Sequence, residues 1–462
     1  MKKSVKSSFV LFFIILLSYV GAGQTEKVCK FIVAGHAYGA HGGSNIGLHP
    51  PLLKKLALTP DSSINTIFLT GDIVNKSNPE SWAQVDKELD SLGLESFYVM
   101  GNHDDNYTGY EVFRQKHGGS YYSFKKACGT FIILNSTESD RSVSSVQLDF
   151  LNDILSKADT NSKNVFIFFH EILWNSHEKY KNVRSNSRSR YAQISGYSNF
   201  WDEVFPIFQK YPEMEFYLFA GDVGGNPDAI AAFYDKWENV SLIASGMGEV
   251  EDENYLLVNV TADTIEFDLI PLREKVEMKS IHYYNVPEKP KQIFGPSKIK
   301  ANELSITYNV EPVFNATDYH WILSNGMKGV GDSDLINVYF EENFQSGELS
   351  VLAVNDGFGE SEPAVLLIQR DTLTSANTVK SHSRYFIFQS ENYVHLNFTG
   401  ESESNYILRI YNASGSLLIR RSVMLNQGLN MNIIKKDQLP HGLVIFELTS
   451  QKEKHVQKVI VY

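Results

Sequence analysis

The sequence lacks an excess of positive charge and has almost no long apolar runs. Lys and Arg number 42 against 54 Asp and Glu, and the net charge of −12 argues against a general nucleic-acid binder. No basic cluster marks a nucleic-acid groove, and no aromatic repeat marks a sugar-binding platform. After residue 20 no apolar segment approaches the ~20 residues of a membrane span, which excludes a multi-span membrane protein. Ordinary apolar (43%) and charged (21%) fractions exclude a long disordered chain.

Cysteine is also scarce. Only Cys29 and Cys128 occur, so the chain can form at most one internal disulfide. Each lies in or beside an apolar, strand-like run. An oxidising compartment would permit the disulfide, whereas two buried free thiols are equally compatible with apolar surroundings. The sequence leaves both alternatives open.

Residues 1–23 have the composition of a secretory signal peptide. Lysines within residues 2–6 precede the apolar run Phe9–Val20, and small residues occupy positions 21–23. The run is short for a membrane span, and an uncleaved anchor is the alternative. We expect residues 1–23 to be removed and the protein to be secreted or held at the cell surface.

The length of 462 residues exceeds what one hydrophobic core usually organises, so several domains are expected. Residues 27–275 alternate apolar runs with helical patterns, which predicts a layered α/β (α+β) sandwich. Prolines mark a linker over residues 276–300. Residues 301–370 have the texture of a small β-sandwich, and residues 384–462 that of a second all-β sandwich domain.

Individual elements of the α/β region can be predicted from their patterns. A capped helix follows Asn78 and ends at Gly93, with Trp82, Val85, Leu89 and Leu92 facing inward. A second helix over residues 145–158 is expected to bury Val146, Phe150, Leu151, Ile154 and Leu155. Buried strands are predicted at Lys30–Ala34, Thr66–Thr70, Phe97–Met100, Thr130–Leu134, Val165–Phe169, Glu215–Phe219 and Val240–Ala244.

Five of these strands end in polar residues of one chemical kind. Each residue alone has an ordinary explanation, because Gly-Asp is usually a turn and a lone His is usually a hydrogen-bonded core residue. Residues just past parallel strands, however, converge on one crevice. Carboxylates, amides and imidazoles there are the ligands of divalent cations. The set therefore predicts a metal site, and its members are His36, Asp72, Asn102, His170 and Asp222, with His103 and Asp104 beside Asn102.

The ordered motifs Gly71-Asp72, Gly101-Asn102-His103-Asp104, His170 and Gly221-Asp222 resemble the calcineurin-like metallophosphoesterases over roughly residues 28–272. The resemblance implies one or two divalent ions (Mn, Fe, Zn or Mg), with Asp72 bridging them and Asn102 and His170 on the second. It implies that His103 acts as an acid or charge stabiliser held by Asp104. The implied reaction is hydrolysis of a phosphomonoester or phosphodiester by a metal-activated water.

Two motifs depart from the family pattern. The family opens with Asp-x-His where this chain has His36-Ala37-Tyr38, and closes with Gly-His-x-His where it has Gly221-Asp222-Val223-Gly224. The second-metal set survives as Asp72, Asn102, His170 and Asp222. The first-metal set is reduced to His36 and Asp72. Tyr38 is either a further ligand or a packed aromatic residue, and His41 is a possible substitute.

The C-terminal half carries two more resemblances. The run Thr317–Trp321, with Gly326 and Ala353-Val354-Asn355, resembles PKD- or Ig-like domains. The run Tyr406–Asn412, with Leu439-Pro440-His441-Gly442 before the last strands, resembles the C-terminal sorting domain of type IX secretion. This second resemblance implies that the secretion machinery is a partner.

These features together predict a secreted metal-dependent phosphoesterase that acts on a phosphoester substrate, does not bind nucleic acid and works as a monomer. The alternative is a cell-surface binding protein whose phosphoesterase fold has lost its first metal and its catalysis, because a fold does not guarantee a function.

Overall fold

A computed structural model describes residues 29–58, 61, 63–105, 109–139, 141–158, 163–187, 198–300, 303–331, 333–371, 384–389, 393–400, 404–425, 428–450 and 454–461. The predicted signal peptide lies outside these residues. No helix in the described part of the chain is both long enough and apolar enough to cross a membrane.

The first domain alternates strands with helices, as its sequence pattern predicts. Short 3-10 turns at Leu173–Ser176, Glu178–Tyr180 and Ile281–Tyr283 and a π-helical turn at Phe200–Val204 complete it. Its elements are β1 (Cys29–Ala34), α1 (Pro50–Leu58), β2 (Thr66–Thr70), α2 (Pro79–Leu92), β3 (Glu95–Val99), α3 (Gly109–His117), β4 (Tyr122–Lys126), β5 (Gly129–Ile133), α4 (Ser145–Ser156), β6 (Asn164–Phe168), α5 (Phe205–Phe208), β7 (Glu215–Ala220), β8 (Ala232–Trp237), β9 (Val240–Ser245), β10 (Asn254–Val260) and β11 (Ile265–Pro271).

These strands form two sheets, in the orders β11-β10-β1-β2-β3 and β4-β5-β6-β7-β9-β8. Strands β1, β2 and β3 run parallel in the first sheet. Strands β5, β6, β7 and β9 run parallel in the second. Parallel strands end at the same edge of their sheet, so their C-terminal residues are collected there.

Phenylalanine side chains fill the space between the two sheets. Phe68 of the first sheet stacks on Phe168 of the second with ring centroids 4.1 Å apart, and Phe31 packs edge-on against Phe68 at 5.2 Å. Side chains alternate along a strand, so Phe31 joins this core while Ile32 joins a second cluster that includes Leu52 of α1 and Trp82 of α2. Apolar burial on both faces of β1 and β2 thereby fixes the sheet edge that carries the polar residues.

The first predicted helix is confirmed, including its caps. Asn78 accepts a hydrogen bond from the Ser81 amide, and Gly93 ends α2 in the left-handed region at φ 65°. The second predicted helix is confirmed, but one of its buried positions is wrong. Val146 is 61% exposed, whereas Gln147 is buried, because its amide group bonds the N–H and C=O of Asn135.

A disulfide joins Cys29 to Cys128 and decides between the two alternatives that the sequence left open. Cys29 begins β1 and Cys128 lies between β4 and β5, so the bond links the two sheets across a sequence separation of 99 residues. Closing so long a loop restricts the unfolded chain and stabilises the fold.

The second domain begins before residue 301, so the predicted linker is wrong in its extent. Residues Ile293–Phe294 pair with a strand of the second domain, as do Lys298–Ile299, while Ile281 and Val286 pack in the core of the first domain. Its strands are β12 (Ile293–Phe294), β13 (Lys298–Ile299), β14 (Ser305–Val310), β15 (Asp318–Leu323), β16 (Met327–Val330), β17 (Leu335–Phe340), β18 (Ser346–Asn355), β19 (Gly359–Glu360) and β20 (Ala364–Arg370).

The third domain is also all-β, with sheets β21-β22-β25 and β24-β23-β26-β27. The predicted turn at Leu439-Pro440-His441-Gly442 leads into the final antiparallel pair, β26 and β27. Its strands are β21 (Arg384–Gln389), β22 (Tyr393–Gly400), β23 (Ser404–Asn412), β24 (Leu417–Leu425), β25 (Gly428–Lys435), β26 (Gly442–Thr449) and β27 (Lys454–Val461).

Candidate active site

Residues that follow β1, β2, β3 and β7 line one cavity of about 370 Å³ at the common edge of the two sheets. The predicted residues among them are His36, Asp72, Asn102, His103 and Asp222, together with Tyr38 and His41. His170, after β6, is fully buried behind Asp72. The structure therefore brings the predicted metal residues and His103 to one place.

The backbone around the cavity adopts conformations that most residues avoid. Among the described residues, five other than glycine have a positive φ, and three of them line the cavity: His36 (52°), Asp72 (50°) and Arg141 (68°). Gly71 is required beside Asp72, because a Cβ atom there would lie 2.3 Å from His170 Nδ1. Backbone strain of this kind, ~1–3 kcal/mol per residue, often marks a functional site.

The carboxylate of Asp72 lies at the centre of the site and is 2% exposed. Its Oδ2 is 3.6 Å from His36 Nε2, and its Oδ1 is 3.4 Å from His170 Nε2. The His103 amide donates a hydrogen bond of 2.9 Å to Oδ1. Burial alone would raise the pKa of Asp72, but the imidazoles of His170, His103 and His36 hold it well below its ordinary value.

His170 is oriented by its other ring nitrogen. Nδ1 is 2.9 Å from the Thr70 carbonyl oxygen, which can only accept, so Nδ1 is the donor and Nε2 is directed towards Asp72 and Asp222. Burial would lower the pKa of His170, but the carboxylates of Asp72 and Asp222 raise it well above its ordinary value. Burial and the Glu171 carboxylate likewise raise the pKa of Asp222.

Part of the donor set around Asp72 has the arrangement of divalent-cation ligands. Within the described residues, no three His, Cys, Asp or Glu side chains form a ready-made metal cluster. The buried side-chain atoms without a hydrogen-bond partner there nevertheless include His170 Nε2 and Asp222 Oδ2 on one side of Asp72, and His36 Nδ1 on the other. A carbonyl-bound imidazole with a bare Nε2 is the usual arrangement of a ligating histidine. The side of Asp72 that faces His170 and Asp222 therefore fits a cation.

The opposite side of Asp72 fits a cation less well. Tyr38 lies between two imidazoles, with ring centroids 4.5 Å from His36 and 4.9 Å from His103, and its hydroxyl is 3.4 Å from His103 Nε2. Burial, together with Asp72 and Asp222, raises the pKa of this phenol well above its ordinary value. Tyr38 is therefore a neutral neighbour of His103. Gly224 has no side chain, so this side keeps His36 and Asp72, and His41 also lines the cavity.

The structure contradicts the predicted role of Asp104. Its carboxylate accepts hydrogen bonds from the amides of Gly101, Ile73 and Val74, so it holds together the loops that follow β2 and β3. The Nδ1 atom of His103 instead lies 3.0 Å from the Asn75 carbonyl oxygen. A backbone carbonyl thus sets the ring orientation of His103.

Several lining residues were missed at the level of sequence. One of them is Arg141, whose Nε lies 3.7 Å from Glu171 Oε2. None of these residues belongs to a family motif. Only Glu171 could have been connected with the site from the sequence, because it directly follows His170. The missed residues are Thr137, Arg141, Glu171, Asn186, Ser187 and Asn226.

Comparison with known families agrees with this architecture. Residues 41–246 match the family model of calcineurin-like phosphoesterases, and residues 286–368 match that of PKD-like domains. The first domain is therefore similar to calcineurin-like phosphoesterases, and the second is similar to PKD-like domains. The first match begins after His36 and Tyr38, the motif that departs from the family pattern. The resemblance of the third domain to a type IX sorting domain stays a prediction.

A 3′,5′-cyclic-nucleotide phosphodiesterase from Nostoc sp. is 24% identical to this chain over 172 residues. The aligned region covers 36% of this chain and 59% of the relative, so the chain spans less than two thirds of the relative's length.

Two solved structures show weaker likenesses. A putative 5′-nucleotidase from Staphylococcus aureus is 11% identical, with 55% of this chain and 56% of that chain covered and a TM-score of 0.33. Latent PorU from Porphyromonas gingivalis is 10% identical, with 45% and 23% covered and a TM-score of 0.24. Scores this low support no statement about fold or function.

The role of Asp104 can be tested with Asp104→Asn. The side-chain amide has one acceptor oxygen where the Asp104 carboxyl group uses two, so we expect the free energy of unfolding to fall by ~1.5–3 kcal/mol in urea titrations. Asp105→Asn is the matched control, because the Asp105 carboxylate accepts from the Thr137 hydroxyl and an amide oxygen can still do so. Unchanged stability with lost turnover in Asp104→Asn would instead support a role through His103.

Proposed function

We propose that this protein is a metal-dependent phosphoesterase that hydrolyses a phosphomonoester or phosphodiester in the cavity around Asp72. The observation that carries the proposal is a buried carboxylate approached by the imidazoles of His36 and His170, in a domain that matches calcineurin-like phosphoesterases. The Nostoc relative is named for cleaving a cyclic phosphodiester, which supports including diesters among the substrates.

Asp72, Asn102, His170 and Asp222 are the proposed ligands of one divalent cation. Asn102 lines the cavity, and the other three converge through the contacts of His170 Nε2 with Asp72 and Asp222. When bound, the cation would neutralise phosphoryl oxygens and lower the pKa of a water. His36 is placed across Asp72 from this set, where it has too few companions for a second independent site.

His103 is the proposed acid that protonates the leaving oxygen. Its Nδ1 donates to the Asn75 carbonyl, so Nε2 is the atom that faces the cavity. The contact of Nε2 with the Tyr38 hydroxyl is 3.4 Å long, and a leaving oxygen can therefore replace it. The Asp72 contact with the His103 amide keeps the imidazole beside the reacting group.

Arg141 is the proposed binder of the phosphoryl oxygens that no cation contacts. Its guanidinium is a half-buried cation among the lining residues. A guanidinium can donate two parallel hydrogen bonds to a phosphoryl group. The Glu171 carboxylate lies beside it, with Oε2 3.7 Å from Arg141 Nε.

Export is proposed on separate grounds. The Cys29–Cys128 disulfide supports residence in an oxidising compartment. The turn and final strand pair of the third domain support the type IX sorting resemblance, which makes the secretion machinery a proposed partner. The alternative function, a binding protein without catalysis, draws on the loss of the family's Asp-x-His motif.

The enzyme can be distinguished from the binding protein by turnover of an aryl phosphomonoester and an aryl phosphodiester with Mn, Mg, Zn or Fe supplied. We expect His103→Ala to lower kcat by ~10²–10⁴ because the leaving oxygen loses its acid. His282→Ala is the control, since this exposed imidazole packs on Tyr234 away from the cavity.

Equal turnover in wild type and His103→Ala would show that the activity comes from elsewhere. No turnover by folded, metal-loaded wild-type protein on either substrate would favour the binding protein.

Substrate recognition is tested by inhibition with inorganic phosphate. Arg141→Lys keeps the charge but loses the planar fork, so we expect the inhibition constant for phosphate to rise by ~10-fold or more. Arg114→Lys on the exposed face of α3 is the control and should leave it unchanged. The same inhibition constant in Arg141→Lys and wild type would remove Arg141 from the phosphate site.

A further inference from the structure

The PKD-like domain inserts a side chain into the core of the first domain. Phe358, between β18 and β19, is 5% exposed and belongs to the aromatic core of the first domain. Its ring centroid is 6.3 Å from those of Phe233 and Tyr284. Domains joined by small polar interfaces usually move relative to one another, but a shared core residue opposes such motion.

Buried amides strengthen the same contact. Asn355 Nδ2 donates to the carbonyl oxygens of Tyr283 (3.0 Å) and Asn285 (3.1 Å). Asn315 Nδ2 donates to the Asn285 carbonyl oxygen at 2.9 Å. Both asparagines are buried, so losing the contact would leave polar groups unsatisfied.

The PKD-like domain also contacts Arg184 of the first domain. The Arg184 amide donates to the Gly357 carbonyl oxygen at 3.3 Å, and its guanidinium lies 3.0 Å from Asp356 Oδ1. The Asp356 side chain is 93% exposed, so the ion pair itself contributes little. The Arg184 carbonyl oxygen accepts from the Ile230 amide at 2.7 Å, which binds the segment to a second loop of the first domain.

Two residues after Arg184 the chain forms the wall of the cavity. The Asn186 amide donates to the Asp222 carbonyl oxygen at 3.0 Å, and Asn186 Oδ1 accepts from the amides of Gly225 (2.7 Å) and Asn226 (3.2 Å). Asn226 Nδ2 returns a hydrogen bond of 2.9 Å to the Asn186 carbonyl oxygen. Asn186, Ser187, Asp222 and Asn226 all line the cavity.

We propose that the loop Asp356–Phe358 of the PKD-like domain is a positioning element of the active site, because it fixes Arg184 and through it the wall that contains Asn186 and Asn226. The PKD-like domain is then part of the catalytic unit and not only a spacer. The proposal rests on the proposed function, because that function makes the wall part of an active site. The coupling between loop and wall depends on the fold alone.

Two glycines of the PKD-like domain offer a matched pair of variants. Gly357 and Gly326 both have φ 84°, so a Cβ atom imposes the same backbone strain at each. At Gly357 the Cβ atom would meet Ile230 Cγ2 at 3.2 Å and Arg184 Nη2 at 3.4 Å in the first domain. At Gly326 it would meet Phe344 of its own domain at 3.1 Å.

Hydrogen exchange followed by mass spectrometry in the full-length protein tests the coupling without substrate. In Gly357→Ala we expect peptides covering residues 182–187 and 222–230 to exchange at least about tenfold faster than in wild type, because their local opening becomes easier. Gly326→Ala should leave these peptides as in wild type. Turnover measured on the same samples should show a KM raised about tenfold in Gly357→Ala only, since small misplacements of a binding wall are costly.

Equal exchange of the wall peptides in Gly357→Ala and Gly326→Ala would overturn the proposal. If Gly357→Ala does not fold, Phe358→Leu keeps an apolar side chain while removing the ring contacts, and wild-type exchange in that variant would overturn the proposal equally. An inactive wild type would count against the proposed function alone, because the exchange measurement does not depend on turnover.

Discussion

A carboxylate removed from water must be matched by donors or positive charge. At Asp72 the match comes from the imidazoles of His36 and His170 and from the amide of His103. These groups follow three different strands, β1, β3 and β6, which belong to two sheets. The site therefore forms only when the two sheets pack against each other as observed. The Phe68–Phe168 stack, which bridges the sheets, therefore acts on the site as well as on stability.

Support for the site extends beyond the residues that face the cavity. Asp104 gathers the amides of two loops, and the Thr70 and Asn75 carbonyl oxygens orient His170 and His103. The PKD-like domain reaches the far wall through Arg184. Backbone groups and a neighbouring domain thus do much of the positioning, and neither leaves a motif in the sequence.

Much of the first domain and the convergence of its strand ends could be predicted from local patterns. Buried parallel strands have continuous apolar runs, and the residues after them must meet at one edge, which places Asp72, His103 and Asp222 together. The other features depend on contacts in the folded protein that the sequence pattern does not show. Val146 fits a helical apolar stripe, yet Gln147 is buried because Asn135 offers it backbone partners. Arg141 lay in a polar stretch whose path no periodicity defines.

We propose that one divalent cation binds beside Asp72, on the side of His170 and Asp222. Native mass spectrometry of the purified protein after incubation with Mn or Zn measures the number of ions per chain directly. We expect one ion per chain in the wild type and none in Asp72→Ala, with His36→Ala still holding one. Two ions per wild-type chain would contradict the single site. An undiminished count in folded Asp72→Ala would contradict the central position of this carboxylate.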